Sequence, residues 1–335
     1  MRRLFATAVL AVFTFVLHAP AAVFTVTSTA NTGVGSLRQA ITDANDAAGA
    51  DVINFNIQGT GVQVIALSSA LPVITGPVTI DGYLQQPGAS ANTLSSGNNA
   101  VIRVELRGGG TGSTSGASGL AITAGNSVVR GLAINGFPGR GIDLSGSGNN
   151  RIEGCFIGTD AAGTAPLGNR VGVAVNGPGN IIGGTTPAAR NVISASSNPF
   201  GDFNSHGISI TGGSGNLVQG NFIGTDKNGT AILPNNGAGV ALSSTATTTT
   251  IGGTSSAARN IISGNNQGIS VSSSGATVQG NIIGLDVNGT VRLPNSASGV
   301  SLISGVNTIG GAVAGAGNVI SGNNGSGIVM DGGPA

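Results

Sequence analysis

A repeat nested inside a repeat constrains this chain more than any other feature of its sequence. Three segments align, RIEGCFIGTDAAGT (151–164), LVQGNFIGTDKNGT (217–230) and TVQGNIIGLDVNGT (277–290). They alternate with IIGGTTPAARNVIS (181–194), TIGGTSSAARNIIS (250–263) and TIGGAVAGAGNVIS (308–321). A glycine opens a short strand at Gly141, Gly172, Gly207, Gly239, Gly268, Gly299 and Gly327, at intervals of 31, 35, 32, 29, 31 and 28 residues. The next residue alternates, Ile142, Val173, Ile208, Val240, Ile269, Val300, Ile328, so two unlike turns make one long unit. A period of this length belongs to solenoids and propellers.

Within a unit the apolar residues form short period-2 runs such as GISI and NLVQG, bounded by Gly, Asn, Asp or Ser, which are strands between turns. Three such strands fit in one unit, and each pairs with its equivalent one coil away, about 4.8 Å along the axis, so the pairing is parallel. Inward Ile, Val and Leu then stack into continuous files. Propeller blades need antiparallel hairpins and commonly recurrent aromatics, whereas Trp is absent here and aromatic content is 3%. An asparagine recurs before the strand at Asn191, Asn221, Asn260, Asn281 and Asn318, as in a stacked amide ladder, and Cys155 occupies the same slot one unit earlier. The expected fold is all-β, a parallel β-helix.

Upstream the pattern loosens. GLAITAGNSVVRGLAINGFPGR (119–140) reads as one compact coil, and runs at 51–57, 62–67, 77–82 and 100–106 suggest about three further irregular coils with long loops at 83–99 and 107–118. Residues 36–48 read as an α-helix, because Leu37, Ala40, Ile41 and Ala44 share one face and Ser36 with Gln39 fits a capping box. With the strand VFTVTS (23–28) it is expected to close the first coil, since the end of a solenoid needs a cover. The organisation is therefore a signal peptide at 1–21, a strand and capping helix at 22–50, irregular coils at 51–118 and regular coils at 119–335. The sequence stops soon after a new coil opens at Gly327, so truncation at the C-terminus is expected.

The signal peptide rests on Arg2 and Arg3, the apolar stretch from Leu4 to Leu17, and Ala19-Pro20-Ala21, with cleavage expected after Ala21. No later segment could span a membrane. Formal net charge is +1 and falls to −1 without the leader; Lys227 is the one lysine and the arginines are scattered, which argues against nucleic acid as a partner. Cys155 is the one cysteine, so no disulfide forms within the chain and packing must hold an exported protein together.

The segment GSLRQAITDAND (35–46) with the alternating IGTD, IGG and RNxISGN units resembles a family of secreted bacterial right-handed parallel β-helix repeat proteins with a CSLREA-type N-terminal segment, of the pectin-lyase-like fold. Gly35 and Gln39 stand where that segment has Cys and Glu. The resemblance implies a right-handed helix and a secreted or cell-surface, adhesin-like protein. It implies no particular reaction.

Three sets of residues invite chemistry. SHGISITGGSG (205–215) resembles the histidine motif of polygalacturonases, which makes His206 and the nearby Asp202 the catalytic candidates; the three aspartates and the Arg-Ile-Lys segment of those enzymes are missing, so a structural role is preferred. Asp160, Asp226 and Asp286 could bind calcium as stacked carboxylates. Each heads a D-x-x-G-T turn, however, where Asp accepts backbone N–H groups, and the copies lie two coils, about 10 Å, apart. Asp81 with Glu105, and Asp143 with Glu153, are acid pairs that could meet across neighbouring coils, with isolated solvated carboxylates as the default. The TATTTT run (245–250) has no counterpart in other coils and is discounted as an ice-binding face. The expected function is an exported scaffold that presents a polar, repetitive face to a polysaccharide or cell-surface component. The alternative is a polysaccharide lyase or glycoside hydrolase with its site in a groove on one β face.

Overall fold

The computed structural model describes residues 20–109, 116–197 and 204–330. Residues 1–19 of the proposed leader, Asp202 and residues 331–335 lie outside these. The chain winds into a right-handed parallel β-helix whose strands form three sheets of 10, 9 and 8 strands among the described residues. Every strand-to-strand ladder between these strands is parallel, and each sheet follows the order of successive coils.

The files expected from the repeats are present. In the first sheet Ile53, Ile80, Val129, Ile152, Ile182, Val218, Ile251, Val278 and Ile309 stack in register. In the second, Ile65, Leu106 and Ile134 are continued by Ile157, Ile193, Ile223, Ile262, Ile283 and Ile320. The third sheet stacks Ile142, Val173, Ile208, Val240, Ile269, Val300 and Ile328, the residues whose alternation marked the repeat. All but the last few are sealed from water, and they belong to one continuous core.

The helix Leu37–Asp46 covers the first coil with Leu37, Ala40, Ile41 and Ala44 buried. It packs against the strands Val23–Val26 and Asp51–Phe55, which pair in parallel. Half of the expected capping box forms: Ser36 Oγ accepts from the Gln39 N–H, but the Gln39 amide turns forward to Asp43 Oδ1 at 2.6 Å. Arg38, bonded to the Ala70 and Ser69 carbonyls, and Asn45, bonded to the Val73 carbonyl, clip the helix to the next coil.

Two sequence expectations are corrected here. The four upstream runs make two coils rather than three, because Asp51–Phe55 and Val78–Asp81 are neighbours in the first sheet and Gln63–Ala66 and Val104–Arg107 are neighbours in the second. The D-x-x-G-T loops are also closer than two coil spacings. The Lys227 N–H donates to Gly163 O and the Val287 N–H to Gly229 O, each at 2.9 Å, because these loops lean across the short turns of the coils between them.

Those loops cover something that period-2 reasoning does not anticipate. On the outer face of the second sheet Ala133, Phe156, Val192, Phe222, Ile261 and Ile282 form another apolar file, all buried. The loop glycines lie against it, with Gly163 beside the Phe156 ring and Gly229 beside the Phe222 ring. Both faces of this sheet are thus dry, which is why its strands read as paired apolar residues (FI, VI, II) rather than as an alternation.

Polar ladders secure the corners. Asn191, Asn221, Asn260, Asn281 and Asn318 pass Nδ2–H to Oδ1 along the axis at 2.9–3.1 Å, and the Cys155 N–H joins at the end on Asn191 Oδ1. Two more ladders, Asn150–Asn180–Asn216 and Asn235–Asn265–Asn295–Asn323, occupy the other two corners.

Candidate functional site

The turn aspartates are structural acceptors. Asp160 Oδ1 takes the N–H groups of Thr164 and Ala165, Asp226 Oδ1 those of Thr230 and Ala231, and Asp286 Oδ1 those of Thr290 and Val291. Among the described residues no group of three or more His, Cys, Asp or Glu could hold a metal ion. Burial opposes the charge on Asp286, but the N–H groups of Val291 and Thr290 and the Asn288 amide outweigh it, so its pKa lies below the ordinary carboxylate value. The folded state thus favours the ionised form: the stabilisation is complete above about pH 4, the unfolded value, and is lost as pH falls through the lower native one. Asp286→Ala should cost about 1 kcal/mol at neutral pH, as at other carboxylate caps, and the gap from wild type should narrow in urea melts as the pH is lowered below about 4, the unfolded value.

The acid pairs proposed from sequence do not form. Asp81 lies on the outer face of the first sheet and Glu105 on that of the second, separated by the corner between them. Asp81 instead meets Arg130, 2.6 Å away, and Glu105 meets Arg107. Glu153 stacks on Arg130 at 4.0 Å and pairs with Arg151 at 3.0 Å. Asp143 is on the third sheet, 3.3 Å from Arg140. Beside the Asp81–Arg130–Glu153 row, the Tyr83 hydroxyl donates to Gly154 O at 2.6 Å, and burial pushes its pKa up. Cys155 is fully buried, which pushes its thiol up to about 12 and leaves it without thiolate character at neutral pH.

A concavity lies on the outer face of the third sheet. A groove of about 790 Å³ runs from Asp143 through Ala174, Ser209 and Ala241 to Ser270, one residue from each of five coils in register. That is about 19 Å along the axis. A second row, Ser145, Asn176, Thr211, Ser243 and Ser272, runs beside it. Arg140, Arg170 and His206 line the groove from the first, second and third of these five coils. His206 Nδ1 accepts the Ala238 N–H at 2.9 Å, which fixes the ring and leaves Nε2 as its other polar atom. Among the described residues Asp143 is the one carboxylate lining the groove, and it is paired with Arg140.

His206 was visible in the sequence, but its partners were not. Arg140 and Asp143 share one strand, Arg170 leads into the next coil and Ser209 lies beside His206 in the third, and the outer-face residues differ from one coil to the next. Only the coil-to-coil register brings them together.

No family model matches the sequence and no curated protein matches it. Two solved structures are similar in shape. Alginate lyase from Paenibacillus sp. str. FPU-7 is 14% identical with a TM-score of 0.40, over 93% of this chain and 98% of that one. The A-module of a mannuronan C-5 epimerase from Azotobacter vinelandii is 14% identical with a TM-score of 0.28, over 93% of this chain and 100% of that one. The resemblance to the CSLREA-type proteins rests on the residues quoted above.

Proposed function

We propose that this protein is an exported β-helix scaffold that binds an extended acidic polysaccharide along the groove of its third sheet. The groove itself supports this most strongly: a rigid, straight trough across five coils, with hydroxyl and amide groups at the coil spacing and two guanidinium groups and an imidazole from its first three coils. A polymer laid along the axis meets repeated hydrogen-bond partners, and its carboxylates meet an excess of positive charge, two guanidinium groups against the one carboxylate of Asp143. The basic start and apolar stretch of residues 1–21 support export, with the mature chain beginning at Ala22.

A second reading has its own support. The same groove holds an imidazole whose Nδ1 accepts the Ala238 N–H, so its neutral form carries the proton on Nε2 and is set to donate to a leaving glycosidic oxygen near two arginines that favour a uronate carboxylate, the acid half of polysaccharide-lyase chemistry. Inverting hydrolysis fits less well, since it needs two carboxylates flanking the bond.

A panel of acidic and neutral polysaccharides, followed by affinity electrophoresis and by assay of new reducing and unsaturated ends with and without chelator, separates these. The scaffold predicts retention by acidic polymers, weakened about tenfold or more by Arg170→Ala, with no new ends. Unsaturated ends that disappear in His206→Ala would establish the lyase instead. Equal mobility on every polymer would remove both.

A further inference from the structure

A second cleft, of about 360 Å³, lies away from the groove, and one arginine in it shows what the other lacks. Arg190 and Arg259 occupy the same position of the PAARN and SAARN segments, two coils apart. Each donates its Nε–H to a glycine carbonyl of the next coil, Gly220 for Arg190 and Gly280 for Arg259. Arg190 then lies over the Phe222 ring at 4.8 Å and clasps the 84–99 loop, with Nη1 on Leu94 O and Gly97 O and Nη2 on Ser95 O at 2.8 Å. No such loop reaches Arg259, whose Nη1 and Nη2 have no partner among the described residues.

We propose that Arg259 receives a carboxylate-bearing small molecule in this cleft, a site independent of the polysaccharide groove. The cleft is within the usual size range for ligand pockets. Phe222, Ile261 and Val287 line it as the apolar part, and Ser95, Thr186 and Ser256 supply hydroxyls. Among the described residues two guanidinium groups and no carboxylate line it, so its charge favours an anion over a neutral ligand. The Nε anchor holds the Arg259 fork much as its counterpart is held on Arg190, so its two outer nitrogens are set for two coplanar oxygens. Arg190 shows that this position of the repeat can bind oxygens in that way; at Arg259 none of the described residues supplies them.

Full-length protein labelled with 15N-arginine tests this by titration with benzoate and glucuronate, against the uncharged benzyl alcohol and methyl glucoside. Saturable shifts of the Arg259 Nε–H signal with either carboxylate, absent with the neutral partners, are expected. Arg259→Ala should weaken that binding about tenfold or more, and Arg259→Lys, which keeps the charge but not the fork, should weaken it less. Retention of acidic polysaccharide by the groove should be unchanged in Arg259→Ala, so loss of one activity is distinguished from loss of the other. The proposal is overturned if neither carboxylate shifts Arg259, if neutral partners shift it equally, or if folded Arg259→Ala binds as wild type does.

Discussion

Gly158→Ala should destabilise the protein by about 2–5 kcal/mol, among the largest effects of any single methyl group in the chain. Gly158 has a φ of 86°, a conformation that costs a residue with a Cβ about 1–2 kcal/mol. A Cβ there would also overlap the Ser194 carbonyl oxygen of the next coil, which cannot yield without separating two strands of the second sheet. Gly224 and Gly284 stand in the same relation to Ser263 and Ser321, so the close approach belongs to the repeat. Gly61 is the control: its φ is 89°, but a Cβ would meet nothing within 4 Å. Gly61→Ala should therefore cost only the backbone term, about 1 kcal/mol. Urea unfolding midpoints compared at equal m-values measure the difference. Equal costs at the two sites would mean that the coils are not in contact at Gly158.

Asn221→Ala should cost about 2–4 kcal/mol, well beyond the removal of a surface amide. Asn221 is fully buried, its Nδ2 donates to Ile182 O at 2.8 Å and to Asn260 Oδ1 at 3.1 Å, and its Oδ1 accepts from Asn191. Truncation strips the Ile182 carbonyl of its side-chain donor, leaves Asn191 Nδ2 without its Oδ1 partner and breaks the ladder in the middle. Cys155→Ala is the contrast. That position joins the ladder through its backbone N–H, which alanine keeps, so about 1 kcal/mol of lost thiol packing is expected. Thermal or urea melts of both variants test this, and similar losses would show that the amide file carries little of the stability. Since no disulfide can form, the ladders and the apolar files are what hold consecutive coils together.

The architecture was legible because each coil repeats the last. The Ile/Val alternation after the strand glycines turned out to be a single file in the third sheet, and the helix face of Leu37, Ala40, Ile41 and Ala44 had one place to go. One amide ladder was legible for the same reason, since its asparagines sit in the conserved-looking NxIS and NxIG contexts of this sequence. The other two were hidden. Thr249 and Ala276 interrupt the slots that follow Asn216, and Asn235, Asn265 and Asn295 lie among other asparagines and serines that dilute the pattern.

The dry outer face of the second sheet was missed because alternation assigns every other residue to water, and Phe222 and Ile261 break that rule under the D-x-x-G-T loops. The pairing of acids failed for a related reason. Asp81 and Glu105 belong to consecutive strands that turn a corner and face apart, whereas Asp81 and Arg130 are 49 residues distant yet in register. The groove combines both difficulties: its side chains point outward, where the repeat imposes no identity, and they converge only through register.

The most direct test of the binding groove is affinity as a function of oligosaccharide length, measured by calorimetry with size-fractionated oligomers of the best-retained acidic polymer. A trough of about 19 Å with partners at each coil predicts affinity that climbs with each added sugar and levels off once the oligomer spans it, with Arg170→Ala lowering the whole curve. Affinity independent of length, or unchanged in Arg170→Ala, would contradict a polymer lying along the third sheet.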